Sequence, residues 1–174
     1  FQSNLSKLPD YCFYGSGIRQ LTIPNTVTTL GSSCFAYSDI ESLIIPNGIT
    51  AIPMSCFDHS RLQSITIPDS VTSLGDNCFR STNLTTVELP VSITTIPSGC
   101  FQYSPCLETV YIKGEGDTVG GGPSFSSSTF AKCYKLTGIY IYATHTHSNP
   151  SLTLDNPNTV IYVPRDALED WKMS

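Results

Sequence analysis

One dipeptide sets the frame for the whole chain. Cys-Phe stands at Cys12-Phe13, Cys34-Phe35, Cys56-Phe57, Cys78-Phe79 and Cys100-Phe101, each pair 22 residues after the last. A fixed period of this length marks a repeat architecture, in which every repeat is one supersecondary unit. With Cys as slot 0, apolar residues fall in slots 1, 6, 9, 11, 15 and 18, and Pro falls in slot 12. The coil from Cys56 reads Phe57, Leu62, Ile65, Ile67, Pro68, Val71 and Leu74. The coil from Cys34 reads Phe35, Ile40, Leu43, Ile45, Pro46, Ile49 and Ile52, and those from Cys12 and Cys78 agree.

Slots 9 and 11 alternate with polar residues, the period-2 pattern of a half-buried strand. Equivalent strands one coil apart run the same way, so they are expected to stack as a parallel sheet spaced about 4.8 Å. Pro in slot 12 ends each strand because it has no N–H to give the ladder. One coil cannot bury its own apolar set, whereas stacked coils make one continuous core. The expectation is a single β-rich solenoid domain over residues 1–174, with coils over 5–141 and an insertion at 113–124. Pro105 adds one residue to the coil from Cys100, and Phe130, Leu136, Ile139 and Ile141 restore the pattern after the insertion. Residues 142–174 are expected to form a C-terminal cap, with a strand over Val160 to Val163 and a short helix over Asp166 to Glu169. "LSKLPDYCF" aligns with "VTTLGSSCF", so the chain begins inside a coil and further coils are expected upstream.

Charged residues make up 13% of the chain and the net charge is −5, which excludes the concentrated Lys/Arg surface of a nucleic-acid binder. No apolar run approaches the roughly 20 residues that cross a bilayer, and no signal peptide is visible. The cysteines follow the repeat rather than a disulfide or zinc spacing, so they read as small apolar fillers of the core. Cys106 and Cys133 fall off the ladder in adjacent coils, which leaves a bridge between them open.

The pattern Leu-x-x-Leu/Ile-x-Ile-Pro-x-x-Val-Thr-x-Leu-x-x-x-Cys-Phe, as in "SITIPDSVTSLGDNCF" and "SLIIPNGITAIPMSCF", resembles the BspA-like leucine-rich repeats of bacterial surface proteins. The likeness covers residues 5 to 141, and "IYVPRDALEDWK" resembles that family's terminal cap. It departs from the family in placing Cys where many coils have Ala, and in its Gly-rich insertion. The resemblance implies a leucine-rich-repeat solenoid with its parallel sheet on the concave face. It also implies secretion or surface attachment and adhesion or protein binding, with no shared catalytic residues.

Other candidate sites are weaker. His145 and His147 with Asp155 lack a third clear metal ligand, and Gly114 to Gly122 lacks the Gly-Lys-Ser/Thr ending of a phosphate loop. Glu88 and Glu108 read as outward strand residues of adjacent coils, but a glycosidase pair needs an enclosed carboxyl with a raised pKa. The outward slot 10 reads Thr22, Ile44, Thr66, Glu88, Tyr111, Tyr140 and Tyr162, so the last strands carry an aromatic column. Tyr suits binding surfaces, and it also suits a cross-strand ladder. The expectation is therefore a non-catalytic module, with no cofactor and no metal, binding a protein or glycan through Tyr111, Tyr140 and Tyr162. Glu88 and Glu108 would set the local charge. A structural spacer is the alternative, and a polysaccharide-acting enzyme is the remoter one.

Overall fold

The computed structural model describes residues 5–113, 123–126, 128–142 and 152–163. The described residues form twelve short strands. They are β1 (Lys7–Leu8), β2 (Thr29–Leu30), β3 (Ser42–Ile44), β4 (Ala51–Ile52), β5 (Ser64–Thr66) and β6 (Ser73–Leu74), then β7 (Thr86–Leu89), β8 (Thr95–Ile96), β9 (Thr109–Ile112), β10 (Ser124–Phe125), β11 (Gly138–Ile141) and β12 (Val160–Tyr162). All pairings are parallel, as stacked coils require. The predicted capping helix at Asp166 to Glu169, the Gly114 to Gly122 loop, and His145 and His147 lie outside the described residues.

The main face is built from slots 8 to 11. There β7, β9, β11 and β12 form one four-stranded sheet. β3 pairs with β5, and Gln20 bridges to Ser42. The expected single sheet is thus interrupted between β5 and β7. Register confirms both irregularities of the repeat: Thr86 pairs with Thr109, one residue beyond the period, and Thr109 with Gly138 across the insertion. Where Pro46 and Pro68 occupy slot 12 the strands stop at three residues. Where Lys113 and Tyr142 replace Pro, their N–H groups donate to Leu89 (2.9 Å) and Ile112 (3.0 Å), and the ladder runs one residue further.

A second set of strands, not expected as strands, forms from slots 17 and 18. They pair strictly in twos: β1 with β2, β4 with β6, and β8 with β10. The next slot alternates Pro9, Gly31, Pro53, Gly75 and Pro97. Gly75 N–H donates to Ile52 C=O at 2.8 Å and Ser126 N–H to Ile96 C=O at 3.2 Å. Pro53 and Pro97 have no N–H to give the coil before them, so pairing fails at those junctions. Glycine faces Pro9 and Pro53, where a Cβ on Gly31 or Gly75 would overlap the backbone of Pro9 and Asp10 or of Pro53 and Met54, while Ser126 faces Pro97.

The third side is the Cys-Phe turn. Ser33, Ser55, Asn77 and Gly99 in slot −1, and Tyr37, His59, Ser81 and Tyr103 in slot 3, all have φ between 53° and 62°. These left-handed residues aim alternate N–H groups along the solenoid axis. Ser55, Phe57 and His59 donate to Asp76, Cys78 and Arg80 of the next coil at 2.9, 2.8 and 2.8 Å. Inside, the phenylalanines stack: Phe13, Phe35, Phe57, Phe79, Phe101 and Phe130 have successive ring centroids 5.2 to 5.6 Å apart and planes within 9° of parallel.

All seven thiols are free. Cys34, Cys56, Cys78 and Cys100 are buried fillers as expected, while Cys12 is exposed. The bridge left open between Cys106 and Cys133 is not formed. Cys133 takes slot 4, held by Ser38, Ser60, Thr82 and Ser104 in other coils, and its Sγ donates to Phe101 C=O at 2.9 Å. Thr129 takes the vacated cysteine slot, fully buried, and its hydroxyl donates to Pro97 C=O at 3.2 Å. The slot therefore asks for small size rather than for sulfur chemistry.

Burial pushes the Cys34 thiol up to about 12 and that of Cys133 to about 11, from an ordinary 9.0. Both keep their protons in the folded chain at pH values where the unfolded chain has lost them, so stability is full below pH about 9 and falls as pH rises towards 12. Urea unfolding at pH 8 and pH 10.5 should show this loss, reduced in a Cys34→Val/Cys133→Val variant. Gly75→Ala should destabilise the fold by at least about 2 kcal/mol through the backbone overlap, read from the same unfolding midpoint.

Candidate functional site

Slot 10 points outward along the sheet, and parallel pairing puts its residues in one row. Glu88 pairs with Tyr111, Tyr111 with Tyr140 and Tyr140 with Tyr162. The column legible in the sequence is therefore assembled. Tyr111 and Tyr140 stack at 5.0 Å and 21°, and Tyr140 and Tyr162 at 4.3 Å and 4°. Desolvation and the neighbouring Tyr162 phenol together push the Tyr140 phenol above its usual pKa. Because the rings face one another, their faces are largely used up between themselves. Ring edges and hydroxyls are what the row offers outward.

Gly138 makes this packing fit. It pairs with Thr109 on one side and Val160 on the other, and a Cβ there would lie 2.8 Å from Cε2 of Tyr140. The ring of Tyr140 leans over the missing side chain. A glycine with an aromatic two residues on is the signal in the sequence for this packing.

The two glutamates part company. Glu88 is in the row, 63% exposed, with the Lys113 ammonium 3.5 Å from its carboxylate. Glu108 corrects the expectation: it precedes β9, and its N–H donates to Thr85 C=O at 2.9 Å. It lies three residues from Glu88 in register, about 10 Å along the strand direction. The extra residue Pro105 moves Glu108 into slot 7, off the outward face. Glu88 is exposed and ion-paired, with no second carboxylate beside it among the described residues, whereas glycoside hydrolysis requires an enclosed pair.

The model of the BspA type leucine rich repeat region matches residues 6–137 and 52–161. The chain belongs to the BspA-type leucine-rich-repeat family. Among curated proteins none matches the sequence. Solved structures that share the fold include the following three. A leucine rich cell surface protein from Faecalibacterium prausnitzii is 22% identical with a TM-score of 0.57, over 96% of this chain and 53% of that one. The pneumococcal vaccine antigen PcpA is 18% identical at 0.69, over 94% and 42%. A leucine-rich repeat protein from Bacteroides ovatus is 18% identical at 0.60, over 94% and 47%. The chain spans about half the length of these proteins.

The BspA-type frame also explains a cluster that sequence reading missed. Asp58 and Arg80 occupy slot 2 of adjacent coils, one period apart. Arg80 donates twice to the buried Asp58 carboxylate, Nε to Oδ1 at 2.9 Å and NH2 to Oδ2 at 2.8 Å. His59 Nδ1 lies 2.7 Å from Oδ1, and its ring stacks on Tyr37 at 4.7 Å and 6°. Asp39–Arg61 (3.0 Å) and Arg19–Glu41 (3.8 Å) are likewise opposite charges one period apart. Any such pair in a 22-residue repeat is a legible cross-coil contact. Asp155, weighed as a partner of His145 and His147, which lie outside the described residues, accepts from Lys132 N–H at 2.6 Å.

Gly138→Ala should turn the Tyr140 ring out of the stack. Near-UV circular dichroism of the tyrosine band should drop, with a stability loss of about 0.5–1.5 kcal/mol, the scale of one aromatic pair.

Proposed function

We propose that this chain is a non-catalytic binding module of a secreted or cell-surface protein, taking a protein or glycan ligand on its sheet face. The stacked row of Tyr111, Tyr140 and Tyr162 is the observation that carries the reading. Tyrosine contributes large contact area and a hydroxyl with few rotatable bonds, which is why it concentrates at recognition surfaces. The row is held on paired strands rather than on a loop, and Gly138 fixes the central ring. The row is thus organised before a ligand arrives. Glu88 with Lys113 supplies polar contacts at one end, while Glu108 stands at the margin. The surface placement is supported by the family and by the fold shared with the leucine rich cell surface protein from Faecalibacterium prausnitzii.

The test is a plate-binding screen against extracellular-matrix proteins, mucins and glycans, with a Tyr111/Tyr140/Tyr162→Ser variant beside the parent chain. Binding should fall by at least about tenfold in the variant, with the circular dichroism spectrum retained. Undiminished binding would move the site off the row. A parent chain that binds nothing in the panel would favour a spacer that displays other domains.

A further inference from the structure

The other half of the sheet face has a different chemistry. Over β3, β5 and the segment Gln20–Ile23 lies an open hollow of about 690 Å³, within the size range of ligand sites. Gln20, Thr22, Ser42, Ile44, Ser64 and Thr66 present their side chains to it, and none of the residues lining it is charged. We infer that this hollow is a second ligand site, shaped in its chemistry for a neutral polysaccharide chain.

Three observations carry this. First, the polar groups of the hollow are unspent. Other hydroxyls of the repeat bond to the backbone of the preceding coil, as Thr26 does to Leu5 C=O and Ser70 to Ile49 C=O, each at 2.8 Å. The side chains of Gln20, Thr22, Ser42, Ser64 and Thr66 have no partner among the described residues. Hydroxyls and the Gln20 amide both donate and accept, which matches a ligand made of hydroxyls. Second, Ile44 stands 73% exposed in the middle of this polar set, while Ile40, Ile45, Ile49 and Ile52 of its own coil are buried. An apolar side chain ringed by donors and acceptors suits a pyranose ring, which has an apolar C–H face and a polar rim. Third, the charges stop short: the Arg19–Glu41 ion pair lies outside the lining. A charged polymer would find no counter-charge there.

An extended peptide fits less well. It gains most by adding to a free sheet edge, and here the β3 and β5 backbone groups beneath the hollow lie in the sheet plane and bond each other, as in Ile45 N–H to Thr66 C=O at 3.1 Å. The inference shares with the reading above only the premise that the sheet face binds. Its residues are different, so variants separate the two.

Affinity electrophoresis in gels containing laminarin, xylan, mannan or dextran tests it, with heparin, polygalacturonate and gelatin as charged and peptide controls. At least one neutral polysaccharide should retard the chain. Ile44→Ser and Ser64→Asp should each weaken that retardation by about tenfold, and the tyrosine variant should keep it. Both positions are exposed strand residues, and a circular dichroism spectrum for each variant verifies the fold. Retardation by none of the four neutral polymers would overturn the inference, as would retardation only by heparin, polygalacturonate or gelatin. So would neutral binding that survives both hollow variants, or that disappears in the tyrosine variant instead.

Discussion

The stack of phenylalanine rings from Phe13 to Phe130 is the constraint on which the other features depend. The rings from Phe35 onward are buried and Phe13 is partly buried; each covers its neighbour at 5.2 to 5.6 Å, so the rise per coil is fixed from inside. A rise of that size also brings strands on the other two sides within hydrogen-bonding distance, about 4.8 Å. The cysteine slot beside the ring then has room only for a small side chain. Cys and Thr both serve, which is why Thr129 substitutes without disturbing the stack. Sulfur is present for its volume, and burial holds the Cys56 and Cys78 thiols in their unreactive protonated form.

Fixing the rise has a cost at the turn. Amides that would point into solvent must point along the axis, and the left-handed residues in slots −1 and 3 achieve this. An L residue with a side chain is less comfortable there than glycine by about 1–2 kcal/mol. Tyr37, His59 and Tyr103 tolerate it because each donates to the next coil at 2.8 to 2.9 Å. The same axial stacking makes sequence distance a spatial ruler. Opposite charges one period apart meet, as Asp58 and Arg80 do, and prolines one period from glycines decide which short strands pair.

Most of the architecture could be read from the chain because period-2 alternation and the 22-residue period give independent evidence for the same coils. Leu43, Ile45, Ile49 and Ile52 are buried as their slots require, and the register shift at Pro105 appears where the count placed it. The tyrosine row was legible for the same reason. What escaped depended on one-residue parity or on ring orientation. Glu108 was taken as outward although the extra residue had already moved it into slot 7. The lean of Tyr140 over Gly138 is a rotamer choice that no period encodes. Asp58–Arg80 was within reach of sequence reasoning, but it falls in a turn, where the apolar pattern draws no attention.

The sheet face divides chemically where its ladder divides. On one side of the break between β5 and β7 lie uncharged hydroxyls and a single exposed isoleucine; on the other lie Glu88 with Lys113 and then three stacked rings. Slot 10 can change character in this way because it contributes nothing to the core: any side chain there leaves the phenylalanine stack intact. The buried slots cannot vary so freely. Face-to-face stacking further limits what the aromatic end can recognise, since sugars and side chains cannot slip between rings 4.3 to 5.0 Å apart. A ligand meets a row of edges and hydroxyls repeating at the coil rise. The recognition proposed for the face would therefore be linear, read across the strands at one contact per coil, and a ligand with a repeating backbone would use more of it than a compact one.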